Sequence, residues 1–272
     1  MNGRFDVIKK EMRDPFYIYM VALIIVSITV YIYINFNPII ALTVSAILYP
    51  AIAAIPVIVY LLSLRKIGFG WEDKFSVMIV FQWLGSIIWL IAEIIWCWYY
   101  NLYHGWENPY PSYADIFYIA AYFPVIIGLA IYISYLYKTI RPELTKKQSI
   151  INIGTAIMAG LIVGVIYWIM VVASYAGEPI PLLEFILNVL YVFLDAVLLV
   201  VIMFGFIVIR GKMGRILFLF LISCLLIIIF DVFFAYLEAY GLYYDGHPIE
   251  LLDLASYLVD AMAFYEVARI SR

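Results

Sequence analysis

Long apolar runs separated by short polar segments dominate the chain. A helix needs roughly 20 apolar residues to cross a bilayer, and eight runs reach about that length. They cover residues 16–34, 38–63, 75–100, 112–138, 150–173, 180–209, 215–241 and 248–268. Because the hydrocarbon core holds no water for free backbone groups, such runs predict helices rather than irregular chain. The pattern therefore predicts an all-α integral membrane protein with eight transmembrane helices.

The composition of the chain also indicates a membrane protein. Apolar residues make up 67% of the chain and charged residues 13%, and the mean hydropathy is +1.05. An ordinary soluble domain is about 25% charged, so this class is excluded. The partner that the sequence predicts first is the lipid bilayer, not nucleic acid, and the predicted location is the cell membrane, as a multi-pass protein.

The basic residues are distributed on one side of the predicted bundle. All 16 Lys and Arg residues precede the first run, follow the last, or lie in or at the edges of the loops after the second, fourth and sixth runs. Loops rich in Lys and Arg stay in the cytoplasm. The sequence therefore predicts that both termini are cytoplasmic.

Acidic residues recur at a constant offset, which indicates an internal duplication. Glu93 and Asp231 are 138 positions apart, as are Asp115 and Asp253, and each half repeats a spacing of 22. We predict a 4+4 parallel tandem repeat of residues 1–141 and 142–272 within one membrane domain, since an even number of helices gives both halves the same orientation. The alternative is a chance alignment of acids in an acid-rich half.

Polar stripes on five of the predicted helices indicate a shared cavity. Twelve of the 19 acids lie in the half opposite the basic loops, and residues three or four apart share a helix face. An unpaired carboxylate within a membrane is costly and points to a functional site. The candidate residues for ligand or cation binding are Glu93, Asp115, Glu184, Asn188, Asp195, Asp231, Asp253 and Asp260, with Trp96, Tyr118, Tyr191 and Tyr257.

The depth of each acid separates two interpretations. Asp115 and Asp253 lie near helix starts, where a carboxylate can also cap the helix. Asp195, Asp231 and Asp260 lie near the middle of their helices, where capping is excluded. For these three the alternative is a protonated carboxyl that is hydrogen-bonded to a neighbour.

Two histidines on the predicted outer side are further candidate metal ligands. His104 and His247 lie in outer loops. Together with Glu93, Asp231 and Asp260 they form the candidate ligand set for a divalent metal ion, the one cofactor that the residues indicate. The alternatives are solvated or pH-responsive histidines.

One stretch of the chain resembles a known group of membrane regions. Glu93 is followed by Ile, Ile and Trp96, and the run Pro-Tyr-Pro-Ser-Tyr-Ala-Asp ends at Asp115. The stretch resembles the amino-terminal membrane regions of prokaryotic diguanylate cyclases and histidine kinases over residues 89–124, with a weaker echo in 231–260. The resemblance implies a multi-helix sensory module, here expected to stand without its output domain and to act on a separate cytoplasmic signalling partner.

These observations lead to three hypotheses for function. The first is a ligand-binding or sensory membrane protein whose outward-facing acidic, aromatic-lined cavity binds a metal ion or an organic amine. The second is a cation- or proton-coupled transporter or channel. The third is a metal-dependent intramembrane enzyme acting on lipid. For this hypothesis the sequence contains neither a G-x-S-x-G nucleophile motif nor an H-E-x-x-H metal-binding motif, and it indicates no catalytic residue.

Overall fold

A computed structural model describes residues 14–34, 37–98, 110–140, 145–170, 181–209 and 211–270. Within these residues the secondary structure consists of eight helices and contains no strand. The helices are α1 (Pro15–Ile34), α2 (Pro38–Ile67), α3 (Lys74–Ile94), α4 (Tyr113–Ile140), α5 (Lys146–Met170), α6 (Leu182–Val208), α7 (Gly211–Ala239) and α8 (Glu250–Ile270). The predicted all-α fold is confirmed, and the eight described helices end within a few residues of the eight apolar runs.

Local sequence signals explain where several helices begin. Pro15 and Pro38 occupy the first position of α1 and α2, where the missing N–H of proline costs nothing. Asp73 caps α3 by accepting hydrogen bonds from the backbone N–H groups of Phe75 and Ser76, both at 3.1 Å. Burial disfavours the charged form of this carboxyl, but hydrogen bonds from Ser76 and Phe75 hold the pKa of Asp73 below its ordinary value. The cap is therefore ionised at neutral pH.

Seven of the eight described helices are long and apolar enough to cross a membrane. The exception is α8, which carries Glu250, Asp253, Asp260, Glu266 and Arg269 within 21 residues. This helix packs against α7, α2 and α1. Because protein rather than lipid surrounds α8, its surface does not need to be apolar. The chain is thus a polytopic helical protein of the membrane class.

Six helices form a closed ring, and two helices lie outside it. Around the ring, α2 contacts α3, α3 contacts α4, α4 contacts α6, α6 contacts α7, α7 contacts α8, and α8 contacts α2. Outside the ring, α1 packs on α8 and α2, while α5 packs on α6 and α7. Most side chains of α1 and α5 are exposed, as expected for helices that face lipid.

The first turn of α1 and the last turn of α8 lie at the same end of the bundle. Arg269 donates to Glu266 at 2.7 Å and lies 3.9 Å from Asp14. Tyr17 on α1 also donates to Glu266, and Lys66 at the end of α2 donates to a backbone carbonyl of α8. These contacts bring together charged groups from the start of α1 and the ends of α2 and α8. They lie at the end of the bundle opposite the one at which α8 begins.

Glycine allows the close approach of α3 and α4. A Cβ atom at Gly128 would lie 2.6 Å from the Cβ of Phe81 and 3.2 Å from the carbonyl oxygen of Met78. Gly85 makes the reciprocal contact, since its Cβ would lie 2.4 Å from Val125. Small residues at such positions let helix backbones pack closely in membranes.

Gly128→Ala is expected to destabilise the protein by about 1–3 kcal/mol, because the added methyl group meets a Cβ and a backbone atom that cannot rotate away. The matched control is Gly164→Ala on α5, where no atom lies within 4 Å of the new methyl group. The melting temperature of each purified variant is the measurement. Equal melting temperatures for the two variants would contradict the close-packing account.

Candidate functional site

A cavity opens between the ring helices near the acidic end. Its wall contains four carboxyl side chains, one from each of four helices: Glu93 on α3, Asp115 on α4, Asp231 on α7 and Asp253 on α8. The empty space is about 830 Å³, counting the part open to solvent. Aromatic side chains form much of the remaining wall, among them Trp89, Trp96, Tyr110, Tyr118, Phe230 and Phe234. We call this space the carboxyl cavity.

The described wall of the carboxyl cavity carries acidic side chains but no basic ones. Among the described residues of its wall, none is Lys, Arg or His. A carboxylate in such a place is stabilised by hydrogen bonds, by a proton or by an external cation, because no fixed positive charge faces it. The hydrogen bonds at each carboxyl therefore decide which of them has capacity left for a ligand.

Glu93 lies at the end of α3 and is almost fully enclosed, with 2% of its surface exposed. It accepts a hydrogen bond of 2.5 Å from the hydroxyl of Tyr257 on α8, and Tyr118 on α4 also interacts with it. Directly after Glu93 the helix widens into a π-helical turn over residues 95–98. Such turns often occur at functional sites, where they redirect side chains.

Asp115 has both a capping role and a role in the wall. Its carboxylate accepts from the backbone N–H of Ser112 at 2.6 Å, the reciprocal contact of a capping box. It also accepts from the hydroxyl of Tyr191 on α6 at 2.8 Å. The capping alternative for Asp115 is therefore supported, and the same carboxyl still lines the carboxyl cavity.

Asp253, the counterpart of Asp115 in the sequence offset, makes different contacts. Its carboxyl lies 3.4 Å from the hydroxyl of Ser256, which donates to it, and Tyr49 on α2 also interacts with it. Among the described hydrogen bonds, none joins the Asp253 carboxyl to a backbone N–H of the helix start. The capping alternative thus receives no support at Asp253.

Asp195 and Asp231 form a pair of carboxyl groups in hydrogen-bond contact between α6 and α7. Asp195 is 1% exposed and accepts from the hydroxyl of Tyr122 on α4 at 2.7 Å. Asp231 retains exposed surface in the wall of the carboxyl cavity. Of the two, Asp231 is the group that a ligand can reach.

Some of the remaining candidate residues lie in the wall of the carboxyl cavity, and others lie outside it. Asn188 lines the carboxyl cavity and accepts a hydrogen bond from Tyr110. Asp260 lies in the wall of a second cavity, where it accepts from Tyr60 at 3.0 Å. Glu184 on α6 lies in the wall of neither cavity. The structure brings these candidates together around the carboxyl cavity: Glu93, Trp96, Asp115, Tyr118, Asn188, Tyr191, Asp231 and Asp253.

The proposed metal ligands are dispersed. Glu93 and Asp231 lie in the carboxyl cavity and Asp260 in the second one, while His104 lies outside the described residues. His247 accepts at Nδ1 from the backbone N–H of Ile249, and burial lowers its pKa. In the described ranges, no three His, Cys, Asp or Glu side chains lie close enough together to hold a metal ion.

No protein-family model, curated protein or solved structure matches the chain. The resemblance of residues 89–124 to membrane sensory regions stays a prediction.

The second cavity, which we call the Asp260 cavity, lies next to the carboxyl cavity. Its polar wall residues include Tyr60, Gln82, Ser86 and Asp260, and its empty space is about 660 Å³, again counting any open part. Trp89 and Ile227 line both cavities. These two side chains therefore form a shared partition.

Glu250 is an important carboxyl that the candidate list omitted. It is 1% exposed and accepts four hydrogen bonds, which come from the Tyr31 hydroxyl at 2.5 Å, Ser45 at 2.8 Å, Tyr243 at 3.0 Å and the Gly246 N–H at 2.7 Å. A carboxylate with four donors needs no further cation. Two donors come from α1 and α2, more than 200 residues earlier, so no local signal reveals them.

Proposed function

We propose that this polytopic membrane protein binds an organic cation, an ammonium group with an apolar body, in its carboxyl cavity. The observation that carries the proposal is the joint presence of four carboxyl groups and several aromatic faces around one space, with no basic side chain in its described wall. Aromatic faces attract ammonium ions, and more strongly when water is excluded.

The contacts favour an organic cation over a metal ion. A calcium ion needs about six to eight oxygen ligands at close range. Here Glu93 and Asp115 are each engaged by a tyrosine hydroxyl from another helix, and the described side chains form no metal-ligand group. An ammonium ion needs one accessible carboxylate, which Asp231 offers, and aromatic surface.

We also propose eight membrane spans, with α8 as the eighth and both termini cytoplasmic. The gathering of basic loops on one side of the sequence supports this topology. Contacts between the first turn of α1 and the last turn of α8 support it as well, because an even number of spans returns the chain to its starting side.

The helix neighbours support the tandem repeat. Shifting each helix by four places turns the α2–α3 contact into α6–α7, α3–α4 into α7–α8, and α4–α6 into α8–α2, all of which occur. Tyr–Asp hydrogen bonds cross both α4–α6 and α8–α2, with Tyr122 bound to Asp195 and Asp260 bound to Tyr60. Positions 122 and 260 differ by the same 138, while their partners at 195 and 60 differ by 135, about one helical turn from the offset.

One observation favours transport as the second candidate function. The Asp260 cavity adjoins the carboxyl cavity at Trp89 and Ile227, so a second space with its own carboxyl group lies beyond the first site. Carboxyl groups at successive depths are typical of ion pathways. Uptake of a radiolabelled ammonium ion into proteoliposomes distinguishes the two functions, since a binding or sensory protein shows saturable binding without uptake.

Ammonium ions are expected to raise the melting temperature of the purified protein. The panel consists of tetramethylammonium, choline, benzylammonium and benzyltrimethylammonium, and at about 100 times Kd a bound ion adds about 2.7 kcal/mol of stability. The neutral control is 3,3-dimethylbutan-1-ol, which has the shape of choline without its charge. Calcium and manganese ions form the metal arm. If no ammonium ion raises the melting temperature, or if the neutral alcohol matches choline, the proposal is wrong.

A further inference from the structure

Two carboxyl groups in direct contact cannot both carry a negative charge without compensation. Asp195 and Asp231 lie in hydrogen-bond contact, with Asp195 fully enclosed and Asp231 facing the carboxyl cavity. In a low-dielectric setting the repulsion between two such charges is far larger than in water. The pair therefore holds either a proton or a cation.

The contacts assign different roles to the two groups. Asp195 already accepts a hydrogen bond from Tyr122 and has no contact with the cavity, so it is suited to remain the acceptor. Asp231 is suited to carry the exchangeable proton because its carboxyl lies in the cavity wall. A proton on Asp231 is donated to Asp195, which satisfies both groups in the empty site.

We propose that Asp231 exchanges one proton for one bound ammonium ion. This inference rests on the proposed function of the carboxyl cavity. In the empty cavity the Asp231 carboxyl is protonated and donates to Asp195. When the ammonium ion binds, the O–H bond of Asp231 breaks, the electron pair stays on the carboxylate, and the proton passes to water in the cavity. The total charge of the pair and its occupant is −1 before and after the exchange.

The surroundings of the pair offer no other counter-charge. The titratable groups that face Asp231 from the neighbouring helices and from its own helix are Tyr110, Tyr122, Tyr167, Tyr191, Cys224 and Asp253. None of these groups is positively charged, and Asp253 adds to the negative potential. A proton or an external cation is thus the only compensation that the described wall allows.

The exchange makes cation binding depend on pH in a defined direction. Because binding releases a proton, affinity rises as the pH rises. Exchange of one proton changes Kd about tenfold for each pH unit. If the protein also transports the ion, the same step fixes an exchange ratio of one proton for one monovalent cation.

Calorimetric titration with benzyltrimethylammonium tests the exchange, since this ion has no titratable proton of its own. Titrations between about pH 5.5 and 8, in buffers with different ionisation enthalpies, are expected to show release of about one proton per ion and a tenfold gain in affinity per pH unit. In Asp195→Asn the amide donates to Asp231, which is then ionised in the empty site. Binding to this variant is expected to release no proton and to be independent of pH.

Glu238→Gln on α7 is the matched control, because Glu238 lies two turns from Asp231 and outside the cavity wall. It is expected to keep the pH slope of the unaltered protein. Wild-type binding without proton release overturns the exchange and leaves the proposed function standing, whereas no binding at any pH overturns the proposed function. Should Asp195→Asn fail to fold, the buffer comparison on the unaltered protein still decides. Release that persists in a folded Asp195→Asn protein also overturns the exchange.

Discussion

Asp231→Asn is expected to weaken ammonium binding by roughly 30-fold or more, because removing one member of a desolvated charge pair costs about 2–5 kcal/mol. Asp231 has the reachable carboxyl of the Asp195–Asp231 pair. The fold of the empty protein is expected to survive, since an Asn amide can donate to Asp195 as a protonated Asp231 does. The measurements are Kd for benzyltrimethylammonium and the melting temperature without ligand.

The result separates a binding role from a structural one. Loss of binding with an unchanged or higher melting temperature is typical of a residue that is kept for function at a cost to stability. Glu238→Gln removes one acid from the same helix outside the cavity wall and is expected to bind as the unaltered protein does. Equal affinities for Asp231→Asn and the unaltered protein would remove Asp231 from the site.

Glu250→Ala is expected to produce the largest loss of stability, at least about 3 kcal/mol, because it leaves several buried donors without an acceptor. These donors are the hydroxyls of Tyr31, Ser45 and Tyr243 and the backbone N–H of Gly246. They come from α1, α2 and the segment before α8, so one carboxylate joins three parts of the bundle. The melting temperature of the purified variant is the measurement.

Ser45→Ala is the graded control, since it removes one of these four contacts and is expected to cost about 1 kcal/mol. Glu250 lies outside the wall of the carboxyl cavity, so any folded fraction of Glu250→Ala is expected to bind ammonium normally. A melting temperature of Glu250→Ala at or above that of Ser45→Ala would contradict the structural role.

The helices could be predicted from the sequence because membrane insertion imposes a length and an apolar composition that is visible in single segments. The same rule explains the one departure. α8 carries five charged residues, and it is tolerated because α1, α2 and α7 enclose it. The charged residues of α8 are visible in the sequence, but whether protein or lipid surrounds the helix depends on the packing of the whole bundle and could not be predicted.

The polar stripes indicated the outer carboxyl groups as candidates, but they did not indicate the depth at which the first cavity ends. The structure places Glu93, Asp115, Asp231 and Asp253 in the wall of one cavity, and their role as a binding site stays a prediction. Asp260 lies two turns beyond Asp253, about 10 Å along α8, and belongs to the Asp260 cavity. Such a step follows from helix rise alone, whereas the boundary between the cavities depends on Trp89 and Ile227, which no sequence pattern marked.

The hydrogen-bond partners of the carboxyl groups could not be predicted, because they come from segments that are distant in the sequence. The pairing of Asp195 with Asp231 depends on how α6 and α7 are rotated against each other, and the tyrosine partners come from α2, α4 and α8. The spacing of acids within one helix gives their shared face but not the residue that faces them. For this reason the polar stripes predicted a cavity without predicting which carboxyls were already satisfied.

A structure of the protein saturated with 4-bromobenzyltrimethylammonium is the sharpest test of the proposed cation site, because bromine can be located by its anomalous scattering. We expect one bromine site in the carboxyl cavity, with the ammonium group between Asp231 and the rings of Trp89 and Trp96, and no such site in Asp231→Asn. A bromine site elsewhere in the protein, or an empty carboxyl cavity at a concentration that saturates the thermal shift, would contradict it.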